Sequence, residues 1–338
     1  MNNFLEHVPV LLDEILENLK KYKINNGIII DATFGLGGYS AAILENTNCD
    51  VYGFDRDPEV LIYANRLKKK YRTRFKFFQK KFSEIDDVLS KVNHSKKKIR
   101  AMIFDLGISN LQLTKKNRGF SFKLDGPLDM RMSKEGIKAF EVINNYSAEM
   151  LSNIFYNFGD EVFSRRIARN IVKLRGITPI TSTLELADII RKSIPGKKKK
   201  IDKATKSFQA IRMFINDEIT ELNKGLIASE KFLTYGGILC VVSFHSKEDR
   251  IVKNFLNECQ GKSKLVISKF LPPNENLRQS FEIITKKPIL PSNNEIKINR
   301  KARSAKLRIA KRTKFSPVFN HEVAAWLKQL IYYYSSLY

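Results

Sequence analysis

Three short apolar runs, each closed by an acid, constrain this chain more than any other feature. Ile28-Ile29-Ile30 ends in Asp31, Val51-Tyr52-Gly53-Phe54 in Asp55, and Ala101-Met102-Ile103-Phe104 in Asp105. Runs that are apolar at every position, rather than at alternate ones, predict strands buried on both faces, which is the habit of a parallel sheet. Helical patterns separate the runs: Tyr39 to Leu44 after the first, and a helix opened by Asp57-Pro58 after the second, Pro being well placed at a first helical position. A short strand is expected over Arg74–Phe78 and an N-terminal amphipathic helix over 8–20. Strands alternating with helices argue for βαβ units.

Gly35, Gly37 and Gly38 fall between the first run and its helix. A glycine-rich strand-to-helix turn lets backbone N–H groups approach a ligand closely, and an acid at the end of the next strand can accept both hydroxyls of a ribose. Asp55 stands there. The turn lacks the third glycine of GxGxxG, and the chain has no GxxxxGK[ST], so a nicotinamide dehydrogenase and a P-loop nucleotidase are both disfavoured. Asp31 before the turn and Asp55 after it suit S-adenosylmethionine, which has no phosphates, carries a sulfonium and an ammonium, and offers a ribose diol.

The strand rhythm stops after Asp105. From about Leu113 to about Arg212 no buried strand is expected. Helices are expected at Ala148–Phe158 (stopped by Gly159), at Val162–Leu174 (stopped by Gly176), and from Ser182, paired with Glu185 in a capping box, to about Ser193. One long helix carrying Phe208, Ile211, Ile215, Ile219, Leu222 and Leu226 on a single face then leads to the strand Ile238–Phe244. A strand that returns only after a helical block points to an insertion within the sheet domain. The expected layout is a discontinuous sheet domain, 1–112 with 213–338, and a helical insertion, 113–212. Beyond it lie a helix at Ser246–Cys259 and an antiparallel pair, Phe281–Thr285 with Leu307–Ala310, joined by a polar loop containing Pro288 and Pro291. A final helix is expected at Glu322–Tyr334.

At 338 residues the chain is about twice the usual length of one domain. Its 60 Lys and Arg against 35 Asp and Glu give a net charge of +25. A solvated, lysine-rich surface accounts for part of that excess; a polyanionic partner is the sharper reading. Membrane is the weaker candidate, because no apolar run approaches the ~18 residues of a spanning helix. Cys49, Cys240 and Cys259 are too few and too scattered for a disulfide framework or a CxxC metal site. They read as buried thiols of a cytoplasmic protein, and no metal is expected.

Two further clusters carry chemistry. The segment Asp105-Leu106-Gly107-Ile108-Ser109-Asn110-Leu111-Gln112 follows the C-terminal end of a strand, where open α/β sheets hold ligands. Ser243-Phe244-His245-Ser246-Lys247-Glu248-Asp249-Arg250 runs from a strand into a helix; His245 reads either as a functional group or as a hydrogen-bonded structural histidine. Phe82, Phe120 and Phe122 can each stack on a base, with core packing as the alternative.

These motifs occur in a particular order. His7–Leu12, Asp31–Gly38, Phe54–Pro58, Asp105–Gln112, Arg118–Phe122, Asp125–Met132, Ser207–Arg212, Ser243–Arg250 and Ala302–Ala310 together resemble the RsmH (MraW) family. The resemblance covers about residues 7–312. It implies an α/β fold: a Rossmann-like class I methyltransferase sheet interrupted by a helical substrate-recognition domain. The implied activity is methyl transfer from S-adenosyl-L-methionine to N4 of a cytidine in the decoding centre of 16S ribosomal RNA, in the P-site region of the small subunit. The family's cofactor positions fall on Gly37, Gly38, Tyr39, Asp55, Phe82, Asp105 and Gln112. Tyr39 stands where the family commonly has His, and Asn110-Leu111 replaces its usual Ser-Pro. Asp105, Ser109, Asn110 and His245 are the candidates for contact with the target amine. RNA capture is assigned to Arg165, Arg166, Arg169, Lys197, Lys198, Lys199, Lys200, Lys203 and Lys206, and a homodimer is allowed without being required. A DNA amino-methyltransferase and a non-catalytic ribosome-assembly protein are the alternatives of other classes.

Overall fold

The computed structural model describes residues 9–92, 97–196, 201–261 and 279–318. The chain begins α1 (Leu12–Lys21), β1 (Ile28–Asp31), α2 (Gly38–Asn46), β2 (Asp50–Phe54), α3 (Leu61–Tyr71), β3 (Phe75–Phe78), α4 (Ile85–Lys91) and β4 (Ile99–Asp105). Among the described residues six helices without a strand follow: α5 (Asn110–Thr114), α6 (Ala139–Asn145), α7 (Ala148–Gly159), α8 (Ser164–Arg175), α9 (Thr183–Ser193) and α10 (Thr205–Ile215). Then come α11 (Glu218–Phe232), β5 (Ile238–Ser243), α12 (Ser246–Cys259), β6 (Phe281–Ile283), α13 (Asn293–Ile298) and β7 (Lys306–Arg312). The chain divides into two units. Among the described residues, one combines those up to 107 with those from 220 to 318 and holds the sheet; the other is the helical stretch 108–219.

The parallel sheet expected from the strand–acid rhythm is present, in the Rossmann-like α/β arrangement that the family resemblance implies. Its seven strands run in the order β3-β2-β1-β4-β5-β7-β6. The first five are parallel, and β7 lies antiparallel between β5 and β6. Strand residues alternate between two apolar layers, as a two-residue period demands. Ile29, Val51, Ala101, Ile103, Cys240 and Ile309 join the layer that holds residues of α1, α2 and α3. Ile28, Ile30, Phe54, Met102, Phe104 and Val241 join the layer with α4, α11 and α12. Such two-sided burial is why these runs carry no polar position before their terminal acid. The three cysteines are free and buried, and burial pushes the Cys240 thiol up to about 12.

The helical unit is tied together by polar side chains that close its long segment between α5 and α6. Arg118 is buried and donates to the carbonyls of Arg131 and Met132, both at 2.9 Å. Asp129 takes Arg131 in a two-point ion pair (2.8 and 2.9 Å), which lowers its carboxyl below the usual range despite partial burial. Thr183 Oγ1 donates to Leu124 O and accepts from Gly126 N–H. Phe122 packs edge-on against Phe208, and Phe120 is buried beside the Arg118 guanidinium. For both rings, packing within the unit is the observed role.

Several local expectations are corrected. The single long helix through Phe208–Leu226 is two helices, α10 and α11. Asn216 breaks it by donating from Nδ2 to Met130 O and accepting the Met132 N–H at Oδ1, both at 2.8 Å, and Asp217 adopts a left-handed φ of 49°. Helix α7 ends at Gly159, as its last residue and not as its cap: an added Cβ would sit 2.6 Å from Lys206 O and 3.1 Å from Ala210 Cβ, so the glycine permits close approach of α10. Asp160 is the left-handed cap instead. The loop after Pro291 contains α13, capped by Ser292, whose Oγ accepts the Glu295 N–H. The expected helix at Glu322–Tyr334 lies outside the described residues.

Candidate cofactor and substrate site

The strand order reverses between β1 and β4, and in open α/β sheets ligands bind in the crevice beyond the C-terminal ends of the strands at that point. Asp31 closes β1 and Asp105 closes β4, so the two acids flank the reversal. The turn after Asp31 is tight. Gly37 N–H donates to Phe34 O (2.8 Å), and Gly37 takes a left-handed φ of 81°. A Cβ on Gly37 would come 2.7 Å from Phe34 Cζ and 3.1 Å from Leu67 Cδ1. Gly53 on β2 leaves room for the same ring, since a Cβ there would lie 2.9 Å from Phe34 Cδ2. With its core side filled by Phe34, the turn presents backbone N–H groups at the start of α2, a place that favours anions and hydrogen-bond acceptors.

Asp55 is fastened from both sides. Oδ2 accepts Gly35 N–H and Oδ1 accepts Asp57 N–H, each at 2.8 Å. Each carboxylate oxygen has a second lone pair, so this arrangement fixes the group yet keeps acceptor capacity for a diol. Burial pushes its carboxyl up to about 6 in spite of the two N–H donors. Asp31 is wholly buried; it accepts Ser40 Oγ–H at 2.6 Å, and burial pushes it up to about 6 as well. Asp105 is the most perturbed of the three. Its own N–H donates to Thr33 Oγ1 (2.6 Å), but its Oδ1 is buried with no hydrogen-bond partner among the described residues. Burial, then the charges of Asp31 and Glu248, push its carboxyl up to about 8. Buried acceptors are nearly always paired in folded proteins, so an orphaned carboxylate oxygen at a strand end points to a donor supplied by a ligand.

The remaining sequence-derived positions divide by role. Tyr39 is buried in the core and its hydroxyl donates to Val10 O, so the side chain faces away from any ligand and the residue offers its backbone. Burial pushes the phenol well above its ordinary value. Phe82 stands after β3 and meets Phe104 edge-on, 5.7 Å between centroids. His245 caps α12: Nδ1 accepts Glu248 N–H (3.3 Å), while Glu248 accepts Phe244 N–H (2.9 Å). Its Nε2 lies 3.0 Å from Glu248 Oε1 but out of line for a hydrogen bond. In the helical unit, Ser109 and Gln112 form a reciprocal capping box around the first turn of α5, at 3.2 and 3.1 Å, and Asn110 is the first helical residue. The bonds that Thr33, Ser40 and Glu248 make were not read from the sequence. Ordinary polar residues beside an acid give no pattern from which their bonds can be read.

Among the RNA-contact candidates, Arg165, Arg166 and Arg169 lie exposed on α8, opposite its buried Ile167, Ala168 and Ile171. Lys203 Nζ is held by the carbonyls of Ile194 and Gly196 (2.7 and 2.6 Å), and Lys206 Nζ by Asp160 O (2.8 Å). Both lysines therefore serve loops and helix ends of their own unit. Lys197, Lys198, Lys199 and Lys200 lie outside the described residues. Among the described residues no helix is long and apolar enough to cross a membrane.

A model of the MraW methylase family matches residues 4–313. The chain belongs to that family. It is 47% identical over 307 residues to the ribosomal RNA small subunit methyltransferase H of Rickettsia canadensis (strain McKiel), covering 90% of this chain and 97% of that protein. The protein of the same name from Rickettsia typhi (strain Wilmington) is 46% identical over 308 residues, with 90% and 98% covered. Among solved structures, an rRNA methylase from Streptococcus thermophilus is 13% identical with a TM-score of 0.35, covering 91% of this chain and 99% of that one.

Proposed function

We propose that this protein transfers a methyl group from S-adenosyl-L-methionine to N4 of a cytidine in the decoding centre of 16S ribosomal RNA, within the small subunit. The observation that carries the reading is the orphaned Oδ1 of Asp105 at the strand-order reversal. The donor set fits the cofactor. Asp31 and Asp105 offer negative charge to a cationic amino acid and sulfonium, Asp55 offers two oxygens to a ribose diol, and the first turn of α2 offers N–H groups at Gly38 and Tyr39. The names of the relatives support small-subunit ribosomal RNA as the acceptor.

When bound, the cofactor supplies an electrophilic methyl group. The chain's own task is to hold an amine whose lone pair is delocalised into its ring, so that nitrogen can rehybridise. Positioning and fixed electrostatics supply most of the acceleration in such a reaction. Asp105 accepts an N–H of the amine or of the cofactor, with Ser109, Asn110 and His245 as further contacts to the target. No strong base is needed beforehand, because the amine proton becomes acidic only after transfer. Ligand-free, Asp105 is largely protonated at neutral pH; a cation beside it lowers its pKa and restores the carboxylate as an acceptor. Gly37, Phe82 and Gln112 complete the proposed cofactor set. The helical unit is proposed as the substrate-recognition part, with Arg165, Arg166 and Arg169 holding phosphates without reading sequence.

Calorimetric titration with S-adenosylmethionine, followed by methylation assays on small ribosomal subunits and on duplex DNA, tests the reading. Binding and methylation of the subunits alone are expected. Absence of cofactor binding contradicts an enzyme, and methylation of duplex DNA contradicts the acceptor.

A further inference from the structure

Helix α11 ends beside the start of β4, where Thr234 donates through N–H and Oγ1 to Ile99 O (3.0 and 2.9 Å). Fifteen helical residues span roughly 22 Å, about the length of the seven-residue β4, so the first turns of α11 lie at the C-terminal edge of the sheet. Gly225 agrees: an added Cβ would come 2.9 Å from both Phe104 Cε1 and Phe82 Cδ2. Glu221 stands one turn earlier on the same face. It is only 5% exposed. Its Oε1 lies 3.6 Å from Lys81 Nζ, an ion pair too long for a hydrogen bond, and its Oε2 has no partner among the described residues. Leaving a buried carboxylate oxygen unpaired is costly. Among the described residues the Lys81 ion pair reaches only Oε1, and Oε2 is left without a hydrogen bond.

We infer that Glu221 accepts a hydrogen bond from the exocyclic amine of the cofactor's adenine as the ring lies against Phe82, and so sets the selection of an aminopurine. This rests on the cofactor reading above. An exocyclic amine is also present on the target cytosine, and the order of groups along the sheet edge favours adenine. Asp105 and Asp31 flank the strand-order reversal, Asp55 follows β2, and Phe82 follows β3 on the far side. With the ribose on Asp55, the purine falls one strand spacing, about 4.8 Å, further toward β3. The target amine must instead reach the methyl group on the side of the reversal. A 6-amino purine donates to Glu221, whereas a 6-oxo purine turns a carbonyl oxygen toward the carboxylate and is rejected.

The test is calorimetry of the full chain with S-adenosyl-L-homocysteine and with S-inosyl-L-homocysteine, which carries oxygen at the 6-position. A hydrogen bond to a charged group is worth roughly 10- to 100-fold in affinity, so wild type is expected to prefer the adenosyl ligand by about that factor. Glu221→Ala and Glu221→Gln are expected to cut the preference to about a tenth of the wild-type ratio or less. Glu221→Gln is nearly isosteric, so it carries the test even where the alanine variant fails to fold. A ratio within about threefold of wild type in Glu221→Gln overturns the inference. If that unchanged ratio comes with slower methylation of small subunits at saturating cofactor, the carboxylate faces the target base instead. Failure of wild type to bind either ligand removes the cofactor reading itself, a result distinct from binding without altered selectivity.

Discussion

The C-terminal edge of the sheet and the outer face of α8 handle charge in opposite ways. Along the sheet edge, Asp31, Asp55 and Asp105 are sunk far enough that burial raises all three carboxyls, to about 6, 6 and 8. On α8, Arg165, Arg166 and Arg169 stand exposed above an apolar underside. A buried charge is costly until something pairs with it, so the sheet edge is poised for a cation or a hydrogen-bond donor of defined shape. An exposed charge costs little and acts at long range, so α8 suits a polyanion whose details it does not read. These acidic strand ends belong to a chain whose net charge is +25. Selectivity for a small ligand and attraction for a large one are therefore assigned to different residues, and each can be removed without touching the other.

The largest separation is expected at Asp105. Asp105→Asn is expected to lower methyl transfer by about 100- to 1000-fold, the range for losing a preorganised electrostatic contact. The same change removes a buried charge, so the unfolding midpoint above pH 8 is expected to hold or rise by about 2 °C. A fall in both activity and midpoint in a thermal melt makes Asp105 structural. At Asp55, alanine deletes the acceptor of the Gly35 and Asp57 N–H groups together with the proposed ribose contacts. Cofactor affinity is expected to fall about 100-fold by calorimetry, while RNA binding is retained.

The opposite half of the comparison breaks with α8. Replacing Arg165, Arg166 and Arg169 together by Ala is expected to weaken RNA binding about tenfold near 0.1 M salt and to reduce the slope of log K against log salt by about 2. Cofactor affinity is expected not to move. An unchanged salt slope takes these residues out of the phosphate interface.

Acidity sharpens the same contrast. Raised carboxyls are protonated in the ligand-free fold over a range where the unfolded chain has already ionised. Fold stability from these groups is therefore greatest below about pH 4 and declines as pH rises through 6 and 8. Cofactor affinity runs the other way, gaining up to about tenfold per unit between pH 6 and 8 as protons leave the site. Calorimetry in buffers of different ionisation heat detects the proton release; an affinity flat across that range contradicts it. The smallest effect is at His245, where Ala is expected to cost about 1 kcal/mol through lost capping of α12, and Asn to restore most of it. A loss of turnover in His245→Asn with the melt restored separates a contact to the target from a cap.

The strand ends were legible because two-sided burial excludes polar residues until the strand stops, so Asp31, Asp55 and Asp105 announce themselves. Other features left no trace in the periodicity. The apolar stripe from Phe208 to Leu226 continues in register across Asn216 and Asp217, so the break between α10 and α11 was invisible; it depends on Asn216 bonding to residues more than eighty positions earlier. Tyr39 reads as part of a ligand turn, yet its ring is drawn into the core by Val10. Glu221 looks like one more surface acid on a helix. Only its burial and its unpaired Oε2 set it apart, and neither is a property of spacing.

The carboxylates of the sheet edge are proposed to serve transfer of a methyl group to one cytidine. Mass mapping of 16S ribosomal RNA tests it most directly, in cells with the protein, without it, and with Asp105→Asn in its place. The account predicts a single decoding-centre cytidine, methylated at N4, that loses one methyl group without the protein and stays unmethylated in the variant. An unchanged map on removal, or full methylation by Asp105→Asn, would contradict it.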